Sequence, residues 1–223
     1  MKAVTEYRDL TRLVSAVRGL FRANIVVAVI SIWSGLEELD LLTRVRDGHS
    51  FSEVEAESSD LRQTLLSGIY FVIWIVTFVM YFRWVHQSNR NARFLAGNNL
   101  HFTPGWAVGW HFVPIVGLWK PYQALRELFQ ASHPDFGNEW SKAPYPWVVA
   151  FWWVLFVVSA ALGQVLFRAG LRAETLDEII ESSRWMLASD IVDIPLSLCG
   201  LLMVGTLASL QSAKRARTSQ VAT

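Results

Sequence analysis

The chain has 223 residues, of which 52% are apolar and only 17% charged, where soluble domains carry about 25% charged residues. With eleven tryptophans as well, that balance excludes an ordinary water-soluble domain and points to a membrane protein. The net charge of +1 conceals a strong segregation of charge, and the lone Cys199, set in an apolar run, excludes an internal disulfide or a thiolate metal cluster.

Residues 1–22 form a basic arm with no small-residue cleavage site, so the first apolar run is expected to remain as an anchor. A bilayer-spanning helix needs about 20 mostly apolar residues. Four segments meet that length: Ala23–Leu42, Leu65–Val85, Trp147–Phe167 and Trp185–Leu210. Lipid offers no hydrogen bonds to a backbone, so each is expected to be helical, and none shows the strict alternation of a barrel strand.

Lys and Arg counts set the expected orientation. The arm carries Lys2, Arg8, Arg12, Arg18 and Arg22. The long middle connection carries Arg83, Arg90, Arg93, Lys120, Arg126 and Lys142, and the tail at 211–223 carries Lys214, Arg215 and Arg217. The other two connections hold only Arg44, Arg46 and Arg62, then Arg168, Arg172 and Arg184, and together with the span ends beside them they hold fourteen of the nineteen acids. Both termini and the middle connection are therefore expected on the cytoplasmic side. The two acidic connections, "RVRDGHSFSEVEAESS" and "RAGLRAETLDEIIESS", both open on Arg and close on "ESS", a weak trace of an internal repeat.

The middle connection is the unusual part. Helix is expected to run past Val85, placing Arg83, Arg90 and Arg93 near the headgroups, and to stop at Gly97 and the following asparagines. Then comes "TPGWAVGWHFVPIVGLWKPYQ", Thr103–Gln123. Its apolar part, 104–119, would reach about 24 Å as a helix, short of a hydrocarbon core of about 30 Å. Pro114 and Gly117 break it further. A fifth span would also move the basic tail across the membrane, against the charge count. Two readings stand: a re-entrant segment sheltered by the spans, or an interfacial one anchored by Trp106, Trp110 and Trp119. Residues 120–132 read as a short amphipathic helix with Pro121 in its first turn. Tyr122, Leu125, Leu128 and Phe129 form its apolar stripe, with Gln123, Arg126, Glu127 and Gln130 opposite.

The fold class that follows is an all-α integral membrane protein. Four transmembrane helices form two hairpins, with the Trp/Gly/Pro segment and the amphipathic helix between them, and residues 23–210 make a single membrane domain. The run from Asn91 through "PGWAVGWHFVPIVGLWKPYQALRELFQASHP" resembles domain-of-unknown-function family 4328 of bacterial membrane proteins. Pro104, Gly105, Trp106, Gly109, Trp110, Phe112, Pro114, Leu118, Trp119, Lys120, Pro121 and Tyr122 match its pattern, and the likeness covers roughly Phe71–Ser159. His111 departs from it, standing where an aromatic residue is common, and Phe129 stands where tryptophan is frequent. The resemblance implies a bacterial cytoplasmic membrane and brings no activity.

Among single residues, Asp193 and Asp190 stand out as intramembrane carboxylates three residues apart, costly in lipid and so suspect for ion or proton handling. Pairing with Arg184 or a backbone donor near Pro195 is the plainer expectation. His111 is the most suggestive titratable group of the broken segment, with a structural histidine the plainer reading. Arg90 and Asn91 complete the candidate set from the family-like run. No motif for a metalloprotease, P-loop, dinucleotide fold or serine hydrolase is present, no cofactor or metal is expected, and the basic residues follow a membrane edge rather than a nucleic-acid face. The expected partners are the bilayer and a membrane protein or a second copy. A non-enzymatic scaffold or regulatory subunit is the favoured function. A channel or transporter using Asp193 is the alternative, and a lipid-modifying enzyme the third.

Overall fold

The computed structural model describes residues 6–137, 139–171 and 174–221. Lys2 and Arg172, used in the charge count, lie outside them, as do residues 222–223 of the tail. The described chain is helical. Helix α1 is Thr11–Arg46, α2 Glu53–Leu95, α3 Pro104–Gly109, α4 Lys120–Ala131, α5 Trp147–Gly170 and α6 Leu176–Val221, with single 3-10 turns at Trp110–Phe112, Val116–Leu118 and Trp140–Lys142. Four of these, α1, α2, α5 and α6, are long and apolar enough to cross a membrane.

All four outrun the expected spans, α5 by only three residues. At about 1.5 Å per residue, the 43 residues of α2 extend about 65 Å, twice a hydrocarbon core. Neither the arm after Thr11 nor the tail through Val221 contains a proline to stop a helix, so α1 begins before Ala23 and α6 continues past Leu210. Pro195 sits within α6 without ending it, as membrane helices tolerate. Helix α2 ends where expected. Gly97 and Asn98 take left-handed conformations (φ 70° and 65°), and the Asn98 N–H closes onto the Arg93 carbonyl at 2.8 Å.

The chain forms two compact units. Of the described residues, one comprises 6–20, Thr77–Trp153 and 199–221. Its core gathers Val17, Trp84, Leu125, Leu128, Phe129, Val149, Met203, Val204 and Leu207, all buried. Each such side chain contributes about 1.5–3 kcal/mol. Lys214 of α6 reaches the end of α4, donating from Nζ to the Ala131 carbonyl at 2.8 Å, and Gln211 donates to the Ser88 carbonyl at 2.9 Å. A cation at the C-terminal end of a helix meets the negative pole of its dipole.

The other unit comprises Phe21–Val76 and Val154–Leu198. It buries Val27, Ala28, Leu41 and Ile180 but leaves Val26, Ile30, Phe71, Val72, Val76 and Val154 exposed. Apolar surface on that scale is what hydrocarbon accepts and water does not.

Two expectations need correction. Helix α4 does not carry a solvated polar face. Glu127 and Gln130 are buried with Leu125, Leu128 and Phe129, leaving Gln123 and Arg126 outside. Burial is tolerated because each finds partners: Gln130 Nε2 donates to the carbonyls of Ser141 (3.0 Å) and Ala143 (2.9 Å), and Glu127 accepts from the Phe102 N–H at 3.0 Å. Arg93 is likewise turned inward rather than out toward lipid or water. It is 1% exposed, and its guanidinium is spent on backbone carbonyls of the loop that follows α2.

Candidate functional site

The broken segment folds as a short hairpin. Thr103 starts it by accepting the Trp106 N–H on Oγ1 at 3.2 Å, with Pro104 in the first turn, where a missing N–H costs nothing. Gly109 lets the Trp106 ring lie against the backbone; a Cβ there would sit 3.2 Å from Cε3. The Trp106 and Trp110 rings pack 4.7 Å apart. Pro114 ends the outward limb, and the chain reverses at Ile115, whose φ of 65° and ψ of −60° are matched by a Val116 N–H to Pro114 carbonyl bond of 2.7 Å. That is a γ-turn of the strained hand, rare for any residue and more so for a β-branched one.

The return limb lies tightly on the outward one. A Cβ on Gly117 would meet the Trp110 carbonyl oxygen at 3.0 Å and the His111 carbonyl oxygen at 3.6 Å. Gly117→Ala is therefore expected to lose about 1–3 kcal/mol by forcing the limbs apart. A thermal melt in detergent checks this, and a variant melting with the parent would show the limbs free to separate. The hairpin is tethered from α5, where Trp153 Nε1 donates to the Leu118 carbonyl at 2.8 Å. Trp119 then leads into α4, where Pro121 is buried and Lys120 Nζ lies 5.6 Å from the Phe102 ring.

His111 sits inside this fold. Its Nδ1 donates to the Val108 carbonyl at 3.1 Å, and its ring meets Tyr81, Phe82 and Trp153 edge-on at 5.0–5.9 Å between centroids. Three aromatic edges and one backbone acceptor make it a packing and bonding element of the hairpin. Outward from the same hairpin point Trp106, Phe112, Ile115, Leu118 and Trp119, with Ile115 74% exposed. Gly105, beside them, opens onto empty space.

In the other unit, Asp193 is held from two neighbouring helices. Ser159 Oγ of α5 donates to Oδ1 at 2.8 Å, and the Tyr70 hydroxyl of α2 donates to Oδ2. These donors replace the expected pairing with Arg184. Neither Asp190, which is buried, nor Asp193 forms an ion pair among the described residues. Tyr70 and Ser159 carried no signal in the sequence, since a lone hydroxyl in an apolar run marks nothing until its helix is placed.

An open groove of about 450 Å³ in the same unit is lined by Ile30, Trp33, Leu61, Leu65 and Ile69, with Arg62 at its rim. That arginine is engaged: Nε donates to Ser34 Oγ at 2.9 Å, and its guanidinium lies 5.6 Å from the Trp33 ring. Among the described residues no group of three or more His, Cys, Asp or Glu side chains is arranged to hold a metal.

Of the candidates named from sequence, the structure gathers Pro104, Gly105, Trp106, Gly109, Trp110, His111, Pro114 and Trp119 into one hairpin. Lys120 and Pro121 open the adjoining helix. Asn91 serves elsewhere, clamping the backbone of Arg8, while Arg90 beside it forms no ion pair among the described residues. Asp190 and Asp193 belong to the other unit.

A model of a domain of unknown function (DUF4328) matches residues 47–209, well beyond the Phe71–Ser159 stretch that carried the resemblance in sequence. No curated protein and no solved structure matches the chain.

Proposed function

The chain belongs to the DUF4328 family, and we propose that it is a non-enzymatic scaffold or regulatory subunit that engages a membrane-protein partner through the hairpin at 104–119. The proposed setting is the bacterial cytoplasmic membrane, with both termini and the hairpin on the cytoplasmic side, as the Lys and Arg distribution favours. One observation carries this reading. The hairpin presents Phe112, Ile115 and Leu118 outward, while three polar groups in and beside it are engaged in holding it: His111 Nδ1 by Val108, the Leu118 carbonyl by Trp153, the Phe102 N–H by Glu127. A rigid frame with an apolar tip suits contact better than turnover. The tip enters and leaves on one side, as a shallow re-entrant hairpin does.

The alternative, a channel or transporter, draws on Asp190 and Asp193. Photo-crosslinkers at Phe112 and Leu118 in native membranes, joined to flux measurements on reconstituted protein, decide between them. The expected result is a discrete protein adduct, preserved in Asp193→Asn, because Asn keeps an acceptor for Tyr70 or Ser159 and costs about 1 kcal/mol. Adducts with lipid alone, or a solute flux that Asp193→Asn abolishes, would overturn the scaffold reading.

A further inference from the structure

From the last turn of the apolar run Leu65–Val85 onward, α2 carries Arg83, His86 and Arg90 at spacings of three and four residues, which stacks them along one face. Asn91 brings a third guanidinium to them. Its Oδ1 accepts the Arg8 N–H at 3.0 Å, and its Nδ2 donates to the Arg8 carbonyl at 2.8 Å. Asn91 is fully buried, so this two-point clamp fixes the backbone of Arg8 against α2 while its side chain stays exposed. The neighbouring Tyr7 is held as well, its ring edge-on to Phe94 at 6.3 Å and covered by the Arg215 guanidinium at 4.5 Å.

Among the described residues no acid pairs with these charges. Asp9, beside Arg8 in sequence, accepts the Thr11 N–H (2.8 Å) and hydroxyl (2.6 Å) on Oδ1 and forms no ion pair with Arg8. Among the described residues, Arg8, Arg83 and Arg90 form no ion pair. Partial burial, with the charges of Arg90 and Arg8 added, pushes His86 below its usual range. Cations crowded closely enough to oppose one another's charge are stabilised by an anion placed between them.

We propose that Arg8, Arg83, His86 and Arg90 form a binding site for the phosphate of an anionic phospholipid headgroup. The depth fits, because the site begins where the apolar run ends and an acyl chain would continue along it. The donors fit, because a guanidinium presents a planar fork that matches phosphate oxygens two at a time. The clamp sets this apart from basic side chains merely reaching for an interface, since it fixes where Arg8 stands. A soluble phosphate shares the headgroup chemistry but has no use for the apolar run below it.

The test titrates the purified full-length chain in detergent with phosphatidylglycerol, phosphatidylcholine and inorganic phosphate, reading bound species by native mass spectrometry. Phosphatidylglycerol is expected to bind in preference to phosphatidylcholine. Arg8→Gln and Arg90→Gln should each weaken it about fivefold, and Arg46→Gln, at the other end of α1, should leave it unchanged. Asn91→Ala keeps every charge yet should weaken binding as Arg8→Gln does, because the clamp is gone. Should that variant fold poorly, Arg8→Gln on the exposed arm still decides. Equal binding of the two lipids, parent-like binding by Arg8→Gln and Arg90→Gln, or equal loss in Arg46→Gln overturns the site. Displacement of the lipid by matched inorganic phosphate overturns the lipid as its occupant.

Discussion

Arg93→Met is expected to cost about 3–5 kcal/mol and to open the loop between α2 and α3 to protease. Arg93 Nη2 donates to the carbonyls of Leu100 (2.7 Å) and Phe102 (2.9 Å), and Nη1 donates to that of Asn98 (3.2 Å). Each hydrogen bond from a charged donor contributes about 1.5–3 kcal/mol. Methionine fills much of the same space but offers no donor, so three carbonyls must find water or remain unpaired. The loop is also held from its N–H side, where Glu127 accepts from Phe102 and meets His101 Nδ1 at 3.0 Å. Burial pushes the Glu127 carboxyl above its usual range, and these two bonds pull it back. Arg93→Lys restores charge without the fork and should recover only part of the loss, since one ammonium cannot reproduce three directed bonds. Thermal melts in detergent, with limited proteolysis, measure both effects. An Arg93→Met variant that melts within about 1 kcal/mol of the parent would show the loop held by packing alone.

Sequence patterning revealed the membrane helices because length and apolarity are properties of a run, independent of what packs against it. The stop at Gly97 and Asn98 was legible for the same reason: both residue types tolerate the left-handed region, and nothing distant is needed to place them. Failures came where a side chain's partner lies far along the chain. Arg83, Arg90 and Arg93 look alike in sequence, yet Arg93 turns inward to a loop that folds back beneath it. Glu127 and Gln130 fall on the polar side of the α4 periodicity, but loop backbone at Phe102, Ser141 and Ala143 covers that side and takes up their bonds. Amphipathic spacing says which residues are polar; it does not say whether a loop will supply their partners. Asp193 repeats the lesson, drawing Tyr70 from 123 positions away and Ser159 from 34. Pro114 and Gly117 mark the segment as broken, but the position of its reversal carries no signal in the sequence. Glycine, asparagine or aspartate would have marked a turn with positive φ, and isoleucine marks the opposite.

That mismatch at Ile115 gives the second large effect, with stability and function moving in opposite directions. An L-residue branched at Cβ and held at φ 65° stores about 1–3 kcal/mol. Ile115→Gly removes the clash and is expected to raise the melting temperature, by the equivalent of about 1–2 kcal/mol after glycine's own entropy cost. Ile115→Asn should recover a smaller share, because asparagine tolerates that region better than isoleucine does. Ile115→Leu should recover little, since an unbranched Cβ still meets positive φ. Were the tip only a chain reversal, nothing would favour the strained residue. On the proposed function its apolar side chain is the part that makes contact, so Gly and Asn should fold more stably yet lose the photo-crosslinked adduct from Phe112. Leu should keep the adduct and gain no stability. A glycine variant that is both more stable and fully competent in crosslinking would remove Ile115 from the contact surface and move attention to the flanking Phe112 and Leu118.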